Sequence, residues 1–310
     1  MAMHDDELHL DEQVARRLII DQFPEWRHEC VRHVTTDGAV NAIFRIGADL
    51  TARFPLRYAD PTDMRAELAQ EAAAMRELAA YCPVATPAPV AMGDPGYDYP
   101  LPWTVQTWIH GAVATPHDLA HSEMFAHDLV GLVRSLRAAD TKGRHFAGSG
   151  RGGDLHDSDA WMEVCFRESD GLLPVDRLRA LWAEFRSLPN VAPEVMTHGD
   201  LIPGNLLVED DRLVGVLDGG GFAPADPSLD LVAAWHMLDD ERRAILRSEL
   251  ACGDVEWWRG AAWAFQQAIG LVWYYRETNP GMSMLGQTTL VRIPKDPVFS
   301  ALTSARPGAR

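Results

Sequence analysis

Between Met196 and Leu231 the chain reads MTHGDLIPGNLLVEDDRLVGVLDGGGFAPADPSLDL. Val195–Thr197, Leu206–Val208 and Leu213–Leu217 are short apolar runs with the length and content of buried strands, the last two joined by the turn-like Glu209-Asp210-Asp211. His198, Asp200 and Asn205 fall in the loop after the first run, and Asp218 ends the third. The glycines Gly219-Gly220-Gly221 are not a phosphate-binding loop. No helix start follows them directly, and a GxxxxGK[ST] pattern is absent. Asp218 is the working residue and the glycines are its setting.

Around this block the period of the apolar residues separates two regions. Val14, Leu18 and Ile19 recur at helical spacing within Asp11–Phe23. Cys30–Thr35, Ala42–Ile46 and Leu50–Phe54 read as three antiparallel strands, with turns at Asp37-Gly38 and Gly47–Asp49. Met64–Tyr81, rich in helix formers and stopping before Pro83, reads as a helix, and Pro89–Gly93 and Trp103–Ile109 as two more strands. Residues 1–110 are thus a small sheet with one long helix. From 111 to 310 the pattern is mostly helical: Pro116–Ala139, Ser158–Glu168, Val175–Ser187, Leu229–Leu238, Asp240–Ala251 and Val255–Arg276. The glycine-rich stretch Thr141–Asp157 reads as a mobile surface connection that either caps a site or merely links, and the tail after Pro294 as loosely ordered.

One chemical task explains the polar set. Phosphoryl transfer needs a carboxylate to orient an acceptor hydroxyl and take its proton, and oxygen ligands for the Mg2+ that neutralises a triphosphate. Asp200 suits the first role; Asn205 and Asp218 suit the second. An HxD, an Asn five residues after the Asp and an Asp-x-Gly thirteen further on, with a hairpin between, is the protein-kinase catalytic arrangement in compact form.

Composition excludes several alternatives. With 45 acidic and 28 basic residues the formal charge is −17, which disfavours nucleic acid and anionic membranes and suits a cationic small substrate. The four cysteines form no CxxC pair, so neither a zinc ribbon nor a disulfide framework is expected. The acidic N-terminus lacks a basic and then apolar segment, so a cytoplasmic location is expected, and Ala261–Tyr275 falls short of the ~20 apolar residues that span a bilayer.

HGDLIPGNLLV followed by GVLDGGGFAPADPSLDL resembles the catalytic signature and metal loop of the aminoglycoside phosphotransferase family, which also contains choline and macrolide kinases. The resemblance extends upstream through DGAVNAIFRIGADLTARFP, ELAQEAAAMRELA and PVATPAPVAMGDPGYDYPLPWTVQTWIHG, and covers roughly residues 35 to 290. It implies an α+β, bilobal protein-kinase-like fold: an N-terminal antiparallel-sheet lobe for the nucleotide over residues 1–110, a hinge at about 106–111, and a larger helical lobe over 111–310. It implies a nucleotide-dependent small-molecule kinase with Mg2+, taking ATP or GTP as donor and a hydroxyl of an aminoglycoside-type antibiotic, of a macrolide or of a cellular metabolite as acceptor. Asp200 would be the catalytic base with His198 supporting its loop, and Asn205 and Asp218 would hold the metal. Arg53 would contact the phosphates where the family usually has lysine, Glu71 would be its ion-pair partner with Glu67, one turn earlier, as the competing acid, and the backbone of Thr107 to Ile109 would meet the nucleobase. Asp226 and Asp230 would buttress the metal loop and the next helix.

The departures are specific. Arginine's planar fork is not interchangeable with a lysine ammonium. Gly219 stands where an aromatic residue usually follows the metal aspartate, which is expected to loosen the loop. Thr35–Asn41 lacks GxGxxG, as the family's antibiotic kinases often do. A nucleotide-binding scaffold without transferase activity is the rival class; Asp200, Asn205 and Asp218 together count against it. A protein kinase is disfavoured by the missing APE-type segment and the short path from Asp218 to the next helix. His117, His121 and His127 lack a HExxH pattern and read as a solvated helix face, and Trp257, Trp258, Trp263 and Trp273 read as core rather than a substrate cage.

Overall fold

Tight turns and alternating burial build the first part of the chain. In the computed structural model the described residues are 8–34, 41–148 and 150–296, so the Asp37-Gly38 turn, most of Thr35–Asn41 and the tail beyond Asp296 lie outside them. Two compact units are present: Met1–Ala80, Ala85–His110 and Leu217–Gly220 form the first, and Tyr81–Val84, Gly111–Val216 and Gly221–Arg310 the second.

In the first unit, helix α1 (Glu12–Gln22) precedes strands β1 (Val31–Val34), β2 (Asn41–Ile46) and β3 (Leu50–Pro55), helix α2 (Pro61–Ala79), and strands β4 (Pro89–Gly93) and β5 (Trp103–Thr107). The strands form one antiparallel sheet in the order β1-β2-β3-β5-β4. Alternate residues Ala42, Phe44 and Ile46 of β2 are buried, as a sheet with one covered face requires. Phe54 stacks on Trp103 at 4.6 Å and meets Phe44 edge-on at 5.6 Å, and Ala15, Leu18 and Ile19 of α1 close this core. Helix α2 begins three residues before the expected Met64. The Asp60 side chain accepts from the backbone N–H groups of Thr62 and Asp63, and Pro61 sits in the first turn, a start signal stronger than the apolar spacing.

The second unit holds β6 (Ala112–Val113), α3 (Pro116–Leu119), α4 (Glu123–Arg137), α5 (Asp159–Glu168), α6 (Val175–Arg186), β7 (Val195–Thr197), β8 (Leu206–Glu209), β9 (Arg212–Val216), β10 (Ala223–Ala225), α7 (Val232–Met237), α8 (Asp240–Glu249), α9 (Asp254–Tyr274) and α10 (Pro280–Arg292). The helix expected over Pro116–Ala139 is two, because Ser122 breaks it and caps α4 by accepting from Phe125 N–H at 3.2 Å. Leu229–Leu231 is a 3-10 turn ahead of the short α7. Helix α10 was not anticipated from sequence. Its apolar residues make no clean stripe, and it is fixed instead by the Asn279 cap, Pro280 in its first turn, and contact with α9 so close that a Cβ on Gly286 would lie 2.5 Å from Ala268 O.

Buried ion pairs tie this unit together. Arg259 holds Asp226 at 2.6 Å, with Trp263 Nε1 donating to the same carboxylate oxygen at 2.9 Å, and Arg243 holds Asp296 at 3.0 Å. Trp257 and Trp263 are core residues, as expected, whereas Trp258 and Trp273 are only half-buried. His121 and His127 pair with Asp239 and Glu249, and no cluster of three or more His, Cys, Asp or Glu among the described residues is placed to bind a metal. No described helix is long and apolar enough to cross a membrane.

Candidate active site

The loop that follows β7 is fastened from below. Backbone N–H groups of His198 and Gly199 donate to Asp230 Oδ2 and Oδ1 at 2.9 and 3.0 Å, and Asp200 N–H donates to His198 Nδ1 at 3.3 Å. Gly199 takes φ +83°, a conformation that glycine alone adopts without strain, so the residue between His198 and Asp200 is dictated by the turn. Burial pushes the Asp230 carboxyl up, while His198 and the two N–H donors pull it down. Asp230 thus anchors the His198–Asp200 loop and Asp226 is held by Arg259 and Trp263, whereas the resemblance placed both under the metal loop and the start of the next helix. His198 is buried and orients the chain.

Asp200 is surrounded by donors. Its Oδ1 accepts from Arg151 Nη2 at 2.7 Å and from Gln267 Nε2 at 3.0 Å; its Oδ2 accepts from Asn205 Nδ2 at 3.1 Å. Burial opposes its ionisation, but the Arg151 guanidinium, with His198 and Gln267, holds the carboxyl below the usual aspartate range. A third of the side chain remains open to solvent. Oδ1 is therefore saturated, and Oδ2 retains a lone pair.

Neither Arg151 nor Gln267 was singled out in the sequence. Arg151 lies in the Thr141–Asp157 stretch, which is tied down at three points: Asp226 N–H donates to Gly152 O at 2.8 Å, Arg259 reaches Gly153 O, and Phe146 N–H donates to Glu194 at 2.8 Å. Gly152 and Gly153 serve close packing, whereas a Cβ on Gly143 or Gly150 would meet open space. A Cβ on Gly152, at φ +111°, would stand 2.8 Å from the Ala225 Cβ. The second Arg151 terminal nitrogen, Nη1, is buried without a partner among the described residues.

In the first unit, Arg53 projects from β3 and its Nη2 meets Asp218 Oδ1 at 3.0 Å. The expected Arg53–Glu71 ion pair is not formed within 4.0 Å; Asp218 takes the guanidinium instead. Asp218 sits at φ +60°, a left-handed conformation uncommon for a non-glycine residue. Glu71 stays within electrostatic range. Burial pushes its carboxyl up, Arg53 pulls it down, and Asp218 and Glu67 add to the rise. A cavity of about 220 Å³ opens beside this pair, lined by Met75, Met92 and Gln106 among others. Gly219–Gly221 is a 3-10 turn, and Gly219 is buried against Leu78, so the missing aromatic has been exchanged for close approach to α2 rather than for looseness.

The segment expected to meet a nucleobase is mostly committed to the sheet. Thr107 N–H donates to Ala88 O at 2.9 Å, its hydroxyl accepts from Ala88 N–H, and Trp108 N–H donates to Asp49 O at 2.7 Å. Of the three N–H groups, only that of Ile109 has no partner among the described residues.

Asn205, in the second unit, and Asp218, in the first, are each of a residue type that Mg2+ accepts as a ligand. Asn205 directs its amide nitrogen to Asp200 Oδ2 and to Asp200 O at 2.9 Å, because an ionised carboxylate and a carbonyl only accept. Its amide oxygen is left as the available ligand, and Asp218, half exposed, keeps Oδ2 off the guanidinium. Both are hard oxygen donors of the kind Mg2+ takes.

Residues 33–263 match the model of the phosphotransferase enzyme family, and the chain belongs to that family. An aminoglycoside 3'-phosphotransferase of Escherichia coli is 36% identical over 61 residues, which is 19% of this chain and 22% of that one, so the chain spans about a fifth of the length of this curated relative. Among solved structures, the GDP and kanamycin complex of APH(2")-IIia superposes with TM-score 0.68 at 17% identity, covering 90% of this chain and 97% of the other. The macrolide 2'-phosphotransferase MphH of Brachybacterium faecium does so with TM-score 0.57 at 21% identity, covering 88% and 98%. At these identities the likeness is one of fold, and the fold is the kinase-like α+β architecture expected from the sequence.

Proposed function

We propose that this chain is a Mg2+-dependent O-phosphotransferase that moves the γ-phosphate of ATP or GTP to a hydroxyl of a small molecule, an aminoglycoside-type antibiotic first. The observation that carries the proposal is the Asp200 carboxylate, kept ionised and rotated by Arg151, Gln267 and Asn205 so that Oδ2 alone offers a free lone pair. That oxygen accepts a hydrogen bond from the acceptor hydroxyl and aims its oxygen at the γ-phosphorus. As the new O–P bond forms, the bond to the β–γ bridging oxygen breaks, the nucleoside diphosphate leaves, and the hydroxyl proton passes to Asp200. A carboxylate held below its ordinary pKa is a weak base, which suits a loose transition state in which the proton moves late and positioning does most of the catalysis.

Arg53 provides a fixed cation for the phosphates, and its pairing with Asp218 keeps both groups in one place. The Ile109 N–H is the donor offered to the nucleobase. Bound Mg2+, taken by Asn205 Oδ1 and Asp218 Oδ2, would neutralise charge on the phosphate oxygens. A scaffold without transferase activity would have no use for a carboxylate oriented by three donors. The 36% identity to an aminoglycoside phosphotransferase and the kanamycin bound in a structural neighbour support the aminoglycoside reading; a macrolide 2'-phosphotransferase among the neighbours supports the alternative.

The test is a screen of purified protein with ATP and with GTP against aminoglycosides, macrolides and metabolite alcohols, scored by product mass. One acceptor should gain a phosphate, and Asp200→Ala should lower its kcat by ~100-fold or more. Full transfer by the Asp200→Ala protein would remove the assignment.

A further inference from the structure

Behind Gln267, one of the three donors to Asp200, a chain of hydrogen bonds continues to His236 and Thr289, and the reaction described above leaves these two residues without a role. Gln267, on α9, donates from Nε2 to Asp200 Oδ1, and its Oε1 lies 3.1 Å from His236 Nε2. His236, on α7, is completely buried, and its Nδ1 lies 2.9 Å from Thr289 Oγ1 of α10. The direction of every bond follows from the carboxylate. An ionised carboxylate can only accept, so the Gln267 amide must face it with nitrogen and turn its oxygen to His236. That oxygen requires a proton on Nε2. A neutral ring then leaves Nδ1 bare to accept from the Thr289 hydroxyl.

His236 is faced by Gln267 on α9, Thr289 and Arg292 on α10, Arg151 from the connection and Asp200 from the catalytic loop. Burial, reinforced by the two arginines, keeps the ring neutral. A neutral imidazole with one tautomer is a fixed donor, and Gln267, held at both ends, cannot flip its amide.

We propose that Gln267 is a positioning residue, locked by His236, that fixes the rotation of the Asp200 carboxylate so that Oδ2 and not Oδ1 meets the acceptor hydroxyl. The proposal rests on the phosphotransferase reading above. Its consequence is that three helices of the second unit set the aim of the catalytic oxygen through two neutral side chains.

Two measurements test it. With the acceptor returned by the screen, Gln267→Leu should lower kcat about 10- to 100-fold while KM for nucleotide and acceptor stays within about twofold and the thermal midpoint is kept. Gln267→Glu, which retains the length but sets a carboxylate against Asp200, should be at least as slow. His236→Leu should lower kcat by a smaller factor, and the Gln267→Leu/His236→Leu double variant should be no slower than Gln267→Leu alone, because His236 acts only through Gln267. Additive losses, or wild-type kcat in Gln267→Leu, would overturn the proposal. Should His236→Leu not fold, Thr289→Val, which removes the hydroxyl from Nδ1, takes its place in the cycle.

The second measurement needs no turnover. The 15N spectrum of the His236 ring in the wild-type protein should show a protonated Nε2 and a bare Nδ1, and Gln267→Leu should mix the tautomers. A wild-type ring carrying its proton on Nδ1 sinks the relay whatever the activity. An empty acceptor screen with the expected tautomer would instead count against the phosphotransferase reading.

Discussion

A Cβ on Gly219 would stand 2.2 Å from Leu78 Cδ2, and one on Gly220 would stand 3.1 Å from the Glu71 side chain. Two consecutive glycines therefore let the loop that carries Asp218 lie flat on α2, within reach of Arg53. Gly219→Ala should destabilise the protein by about 1–3 kcal/mol in urea unfolding, since a buried leucine must move, and Leu78→Ala should cost less in that background than in the wild type. If Gly219→Ala is neutral, the close approach does not constrain the loop. The aromatic residue missing at this position could be seen in the sequence, but its replacement by helix contact could not, because Leu78 is remote in the chain. The same divide runs through the site. Asp200, Asn205 and Asp218 were legible because their spacing is local. Arg151 and Gln267 reach Asp200 from 49 and 67 positions away, and no short pattern encodes them.

Elements show where local signals suffice and where packing overrides them. The strands of the first unit followed alternation and turns, which act over a few residues, whereas α2 started at a cap and a proline rather than at its first apolar residue. Helix α10 exists because α9 and α7 cover it, and a weak stripe gave no notice of it. These three helices enclose His236, whose pKa burial lowers from 6.5 to about 4, with Arg151 and Arg292 adding to the fall and Gln267 and Asp200 opposing it. The unfolded chain then binds the proton before the folded one does. Stability from this group is full above about pH 6.5 and is lost as the pH falls toward about 4, by up to about 3 kcal/mol. Urea unfolding at about pH 7 and about pH 4 should show a smaller drop for His236→Leu than for the wild type, by that order. Carboxylates such as Asp128 and Asp159, whose pKa values are lowered by Arg212 and Arg186 against burial, contribute equally to both proteins and cancel in the difference. Equal drops would mean that the ring is protonated without opening the packing.

At the scale of the whole molecule the sequence offers one long-range property, a formal charge of −17. Such a field draws cations and repels a nucleotide triphosphate, so it acts on the two substrates with opposite sign. Residues Leu217–Gly220 cluster with the first unit and Tyr81–Val84 with the second, a membership no linear reading of composition assigns. Charge, in contrast, is additive and can be read directly. Raising ionic strength from about 0.01 M to about 0.15 M shortens the screening length from ~30 Å to ~8 Å. If the acceptor is a polycationic aminoglycoside, its KM should rise over that range while the KM of the nucleotide stays level or falls, with kcat changed little. A macrolide, with far less charge, should give a nearly flat acceptor KM. The measurement needs two salts of different anion, so that screening is separated from specific ion binding. A flat acceptor KM alongside a product mass that identifies an aminoglycoside would show that local contacts, rather than the field of the whole chain, bind the substrate.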